Sequence, residues 1–144
     1  MYGTADRRSY GVVLEGRFGQ AYNEQAFRYF LRIERGRAAR ANRPVLLLLL
    51  ELRKSSESAL IDPVLAAKLF DCIWRCLRET DLVGWYREDR VAGAVLTHVE
   101  GEYRGDVLDV IRQRIGQTLC ASLSPDVARQ FRVRVYQCRP QLKG

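Results

Sequence analysis

Histidine occurs once in these 144 residues, at His98, and lysine three times, at Lys54, Lys68 and Lys143. A single histidine, set in a strand-like stretch with no base or nucleophile near it, reads as structural and argues against histidine-based catalysis or metal binding. The four cysteines, Cys72, Cys76, Cys120 and Cys138, are too few and too scattered for a disulfide framework. Cys72 and Cys76 share a helix face at four-residue spacing, but no second ligand pair follows, so they read as small core residues. The longest apolar run, Val45 to Leu50, is far short of the roughly 20 residues that cross a bilayer, and no charged-then-apolar leader opens the chain. The expectation is a soluble cytoplasmic protein with reduced thiols, no membrane partner and no cofactor.

What the chain does have is arginine. The 24 basic residues are three lysines and 21 arginines, and the formal net charge is +7. The arginines are enriched from Arg28 to Arg43 and from Arg129 to Arg139. Such a surplus attracts polyanions in general, but no aromatic stacking motif of the RNA-recognition kind accompanies it. A solvated arginine surface is expected, and nucleic acid is not the expected partner. The length fits one domain with a sizeable core.

Residues 1–22 read as a lead-in with one short strand at Val12-Val13-Leu14. Asn23 can cap a helix whose Phe27, Phe30, Leu31 and Glu34 recur at helical spacing to about Arg40, before Ala41-Asn42-Arg43-Pro44 stops it. Val45 to Leu52, apolar up to Glu51, reads as a central strand buried on both faces. After a polar stretch, Asp62-Pro63 opens a helix to about Glu79, packing through Leu65, Leu69, Ile73, Trp74 and Leu77. Leu82 to Tyr86 and Val91 to Val99 form a hairpin around a charged tip, and Glu100 to Gly105 a loop. A helix follows from Asp106, with Val107, Ile111, Ile115 and Leu119 on one face, and ends at Ser122 to Asp126. Phe131 to Cys138 alternates Phe131, Val133 and Val135 against Arg132, Arg134 and Tyr136, as a half-exposed strand does. The expected fold is therefore α+β: a ferredoxin-like α/β sandwich, βαββαβ preceded by an N-terminal helix, with a mainly antiparallel sheet.

The most informative stretch is Arg78-Glu79-Thr80-Asp81, then Leu82-Val83-Gly84-Trp85-Tyr86, then Arg87-Glu88-Asp89-Arg90-Val91. It resembles the core of the GGDEF family of diguanylate cyclases with the catalytic signature overwritten. In that family an Arg-x-x-Asp pair ends six residues before a Gly-Gly-Asp/Glu-Glu-Phe hairpin tip, and Asp81 precedes Arg87 by the same offset. Asn23-Glu24-Gln25-Ala26-Phe27 is similar to the family's Asn-Arg-Arg-x-Phe, whereas Gly16-Arg17-Phe18-Gly19 replaces its Asp-x-Leu-Thr. Leu47 to Leu52 resembles the strand ending in Asp-x-Asp, with Glu51 at the metal-holding acid and Arg53 at the second.

The resemblance implies a nucleotide-cyclase core spanning residues 23–144 and a catalytic signature degenerate at Arg87, Glu88, Asp89, Arg90 and Val91. Two divalent cations on a triphosphate need several carboxylate oxygens, and Arg90 brings a positive charge to a ligand position. Arg87 and Glu88 add side chains where the family's two glycines admit substrate. No cyclase activity and no bound metal are expected, Glu51 and Asp89 being remnants of the metal site. Arg78 and Asp81 retain the chemistry of a product site: arginine can pair with guanine O6 and N7 or with phosphate, and a carboxylate can accept from guanine N1 and N2. The implied ligand is cyclic di-GMP and the implied role bacterial signalling. A plainer reading of the same pair is a helix-end arginine and a turn-capping aspartate. The alternative function is a protein-interaction or dimerisation module that binds no nucleotide and uses a sheet edge or the arginine surface. Trp85 is expected to pack in the core rather than stack on a base.

Overall fold

A run such as Val45–Leu50 has no polar side to turn outward, so a strand made from it needs a layer on both faces of its sheet. The computed structural model supplies both layers. It describes residues 11–16, 19–53, 60–76, 80–96 and 105–138, with backbone only for residues 80, 81 and 105–107. The elements in chain order are β1 (Val12–Gly16), β2 (Gly19–Tyr22), α1 (Glu24–Arg40), β3 (Val45–Leu52), α2 (Pro63–Cys76), β4 (Thr80–Arg87), β5 (Val91–Leu96), α3 (Gly105–Ser122), α4 (Pro125–Ala128) and β6 (Phe131–Cys138). The six strands make one sheet in the order β1-β2-β4-β5-β3-β6. Every neighbouring pair is antiparallel except β2 with β4. The fold is mixed α+β, as expected.

The helix boundaries follow from local chemistry. The Asn23 side chain accepts a hydrogen bond from the Ala26 amide at 2.9 Å and so satisfies one of the amides that no helical turn precedes. At the other end Asn42 takes φ 54°, and the amides of Asn42 and Arg43 bond back to the Ala39 and Ala38 carbonyls at 3.1 and 2.8 Å. That is a Schellman motif with asparagine in the left-handed position. Asp62 caps α2 through the Leu65 amide at 2.8 Å, with Pro63 at the first helical position.

Helices α2 and α3 lie on one face of the sheet and bury Leu69, Phe70, Ile73 and Trp74 together with Ile115 and Leu119 against Leu46, Leu48 and Leu50. Helix α1 lies on the other face, where Phe27 and Ala38 meet Val45, Leu47, Leu49, Val91 and Val95. Phe27 reaches complete burial because Gly84 and Gly93, paired across β4 and β5, leave a hollow beneath it. A Cβ on Gly84 would stand 2.5 Å from the Tyr22 carbonyl oxygen and 3.1 Å from the Phe27 ring, and one on Gly93 would stand 3.0 Å from the same ring. Both positions need a residue without a side chain.

Two expectations change. The lead-in holds two strands rather than one: β1 and β2 form a hairpin, and β2 adds parallel to β4 through Ala21 opposite Val83 and Tyr22 opposite Gly84. Gly19-Gln20-Ala21-Tyr22 carries almost no strand pattern of its own, and the edge of β4 imposes the conformation, with the Trp74 ring lying against Gly16 and Gly19. The segment Ser124 to Asp126, read as a helix end, instead starts the one-turn helix α4, capped by Ser124 accepting from the Val127 amide at 3.3 Å. The expected ends of α2 at Leu77 to Glu79 and of β5 at Thr97 to Val99, with His98, and most of the loop from Glu100, lie outside the described residues.

Candidate functional site

The charged tip is a true strand-to-strand bend. Residues 88–90 join β4 to β5, the Arg90 amide donates to the Arg87 carbonyl at 3.0 Å, and Asp89 carries φ 59°. A left-handed residue is what so tight a reversal demands, and aspartate tolerates it better than most side chains. Two register shifts mark β4, one between Thr80 and Leu82 and one between Trp85 and Arg87, so Asp81 and Tyr86 sit at bulges. Bulges re-aim side chains and sharpen the twist of a strand.

The tip is fastened on both sides. The Glu24 amide, in the first turn of α1, donates to Glu88 Oε1 at 2.8 Å, and the Glu88 amide donates to Glu24 Oε1 at 2.7 Å. Each glutamate thus accepts from the backbone of the other, across 64 residues of sequence, and Glu88 brings negative charge to the positive end of the helix. Glu24 Oε2 also pairs with Arg28 at 3.3 Å, and Arg28 donates to the Tyr86 carbonyl at 3.1 Å with its guanidinium 4.5 Å from the Tyr86 ring centre. On the far side the Asp89 carbonyl accepts from the Ile61 amide at 2.7 Å, just before α2.

Glu51 lies beside this hairpin because β3 pairs with β5 in a register that sets Glu51 opposite Val91. Its carboxylate pairs with Arg134 Nε at 3.0 Å, and Arg134 also donates to the Tyr136 hydroxyl at 3.1 Å. That hydrogen bond, with help from the Glu51 charge, raises the Arg134 pKa further. Arg53 donates through Nε to the Phe131 carbonyl at 3.2 Å and through its amide to the Gln130 carbonyl. Among the described residues no three histidine, cysteine, aspartate or glutamate side chains gather as a metal-binding group would.

The residues singled out from the sequence therefore fare differently. Arg87, Glu88, Asp89, Arg90 and Val91 come together at the bend, with Glu51 adjacent. Arg78 lies outside the described residues, and for Asp81 only the backbone position in β4 is described. Trp85 packs in the core at 3% exposure, edge-on to Phe70 with ring centres 5.1 Å apart, while Tyr86 turns to the α1 side. Cys72 and Cys76 lie where α2 meets α3, Cys76 Sγ donating to Thr118 Oγ1 at 2.8 Å. Burial, then the neighbouring Cys76, pushes the Cys72 thiol up to about 12.

Sequence reasoning missed Glu24, whose partner is 64 positions away, whereas the half-exposed strand expected at Phe131 to Cys138 is found as β6. Arg132, Arg134 and Tyr136 stand on the same face as Glu51, Leu49 and Leu47, and Arg132 and Tyr136 are exposed there. The alternation signalled both the row and its exposure. In comparison with known proteins, the chain matches no family model and no curated protein.

Proposed function

We propose that this chain is a catalytically inactive, GGDEF-like regulatory module that binds cyclic di-GMP through Arg78 and Asp81. The observation that carries the inactive half of this reading is the exchange of backbone bonds between Glu24 and Glu88. In the family the hairpin tip is kept bare by two glycines; here one of those positions holds a carboxylate tied to the start of α1. The acid that would hold a cation, Glu51, is paired with Arg134 instead. A bend filled by side chains and a neutralised acid leave a scaffold suited to recognition and poorly suited to gathering magnesium and triphosphate. The order β4-β5-β3-β6, antiparallel throughout, supports a ferredoxin-like βαββαβ unit behind that scaffold.

Calorimetric titration with cyclic di-GMP tests the ligand: heat that disappears with Arg78→Ala and with Asp81→Ala supports the reading, and no heat at high ligand concentration removes it. Incubation with GTP and magnesium or manganese tests the lost reaction, with no cyclic product expected by chromatography. A second reading, a protein-interaction module without nucleotide, is favoured by the open edge strand β6 and its arginines.

A further inference from the structure

The sheet ends in two very different strands. At one edge β1 has five residues, a register irregularity between Val12 and Leu14, and a glycine at its end. Short, bulged edges of this kind resist further pairing. At the other edge β6 has eight residues matched one for one with β3, from Phe131 opposite Leu52 to Cys138 opposite Val45, without a bulge. No strand lies beyond it among the described residues. Long, regular edges are the ones that accept another strand.

We infer that the outer edge of β6 is a docking site for an extended acidic peptide of a partner protein, which adds to the sheet as a further strand. The inference rests on the interaction-module reading and is independent of cyclic di-GMP. Charge complementarity selects the occupant. A strand laid beside β6 would place alternate side chains next to Arg132, Arg134 and Tyr136, at the usual spacing of about 4.8 Å. Arg132 has no charged or hydrogen-bonding partner among the described residues, and Tyr136 is 42% exposed. Arg53, donating to the Phe131 carbonyl, adds positive charge where the strand begins, while Arg129 there is already paired with Asp126. Glutamate or aspartate at every second position would meet these groups, and the intervening residues would extend the apolar row of Phe131, Val133 and Val135. A second copy of this chain fits poorly, because antiparallel pairing of β6 with itself would set its arginine row beside an identical one. Docking of this type draws affinity from backbone hydrogen bonds and selectivity from side chains, so the arginines act against wrong partners as much as for the right one.

The test is hydrogen exchange of the β6 amides, followed by NMR on the whole chain, with capped eight-residue peptides of alternating glutamate and valine or alternating lysine and valine. The glutamate peptide is expected to slow exchange along β6, and the lysine peptide is not. Arg132→Glu, an exposed change whose folding a thermal melt checks, is expected to weaken the glutamate peptide about tenfold or more and to strengthen the lysine peptide. No binding would overturn the inference. So would equal binding by a glutamate peptide interrupted with two prolines, which cannot donate along its backbone. Tighter binding of a single-stranded oligonucleotide to the same arginines, or self-association through β6, would also overturn it. Cyclic di-GMP titration of Arg132→Glu should match the parent chain, so failure of one reading leaves the other standing.

Discussion

The two faces of the sheet are covered unequally, and β6 shows the result most plainly. Six strands spaced about 4.8 Å apart span roughly 24 Å, and a helix with its side chains is about 10–12 Å wide. Among the described residues two long helices, α2 and α3, therefore nearly cover one face, and a single helix, α1, covers about half of the other. On the doubly covered face β6 presents Phe131, Val133 and Val135 to the core. On the singly covered face the same strand presents Arg132, Arg134 and Tyr136. The arginine count alone pointed to no particular surface. The exposed side of β6 does.

The largest expected effect breaks the weaker cover. Phe27→Ala removes the side chain that seats α1 over Gly84 and Gly93, and should lower the free energy of unfolding by about 3–5 kcal/mol in urea titrations. Gly93→Val drives a side chain into the same ring and should cost about 1–3 kcal/mol. Losses well under 1 kcal/mol for both would mean that α1 is held by something other than this hollow.

The doubly covered face has a titration signature instead. A thiol whose folded pKa lies near 12 keeps its proton while the unfolded chain releases it from about pH 9, so above pH 9 the folded state binds more protons and stability falls with rising pH until about pH 12. Cys72→Ala should flatten that decline relative to the parent chain in denaturation midpoints measured across this range. Exposed Cys120 should react with thiol reagents well before Cys72.

Smaller effects probe the hairpin. Glu88→Ala should cost about 1 kcal/mol, the usual scale for a lost capping interaction, and Glu88→Gln, which keeps an acceptor, should cost less. A double-mutant cycle with Glu24→Ala should return a coupling of at least about 0.5 kcal/mol, and additivity would show that the two exchanges are independent. The smallest effect is expected at Asp89→Gly, which relieves a left-handed backbone and should stabilise by a few tenths of a kcal/mol.

Much of the architecture was legible because the forces behind it are local. Asn23, Asp62-Pro63 and Asn42 announce helix ends through bonds to amides and carbonyls a few residues away. The alternation of β6 and the uninterrupted run in β3 announce how many faces each strand buries. The β1–β2 hairpin was only half legible, since Gly19 to Tyr22 becomes a strand by pairing with β4 rather than by preference.

At the candidate site the division is sharper. Spacing and residue type placed Arg87 to Val91 at a bend. That Glu88 closes on Glu24, and that Glu51 spends its charge on Arg134, depends on α1, β3 and β6 meeting beside the hairpin. Local hydrogen bonding and hydrophobic period are written in neighbouring residues, so the chain by itself determined its elements and their buried sides. Which carboxylate meets which amide only the packed sheet could decide, because that outcome joins residues tens of positions apart.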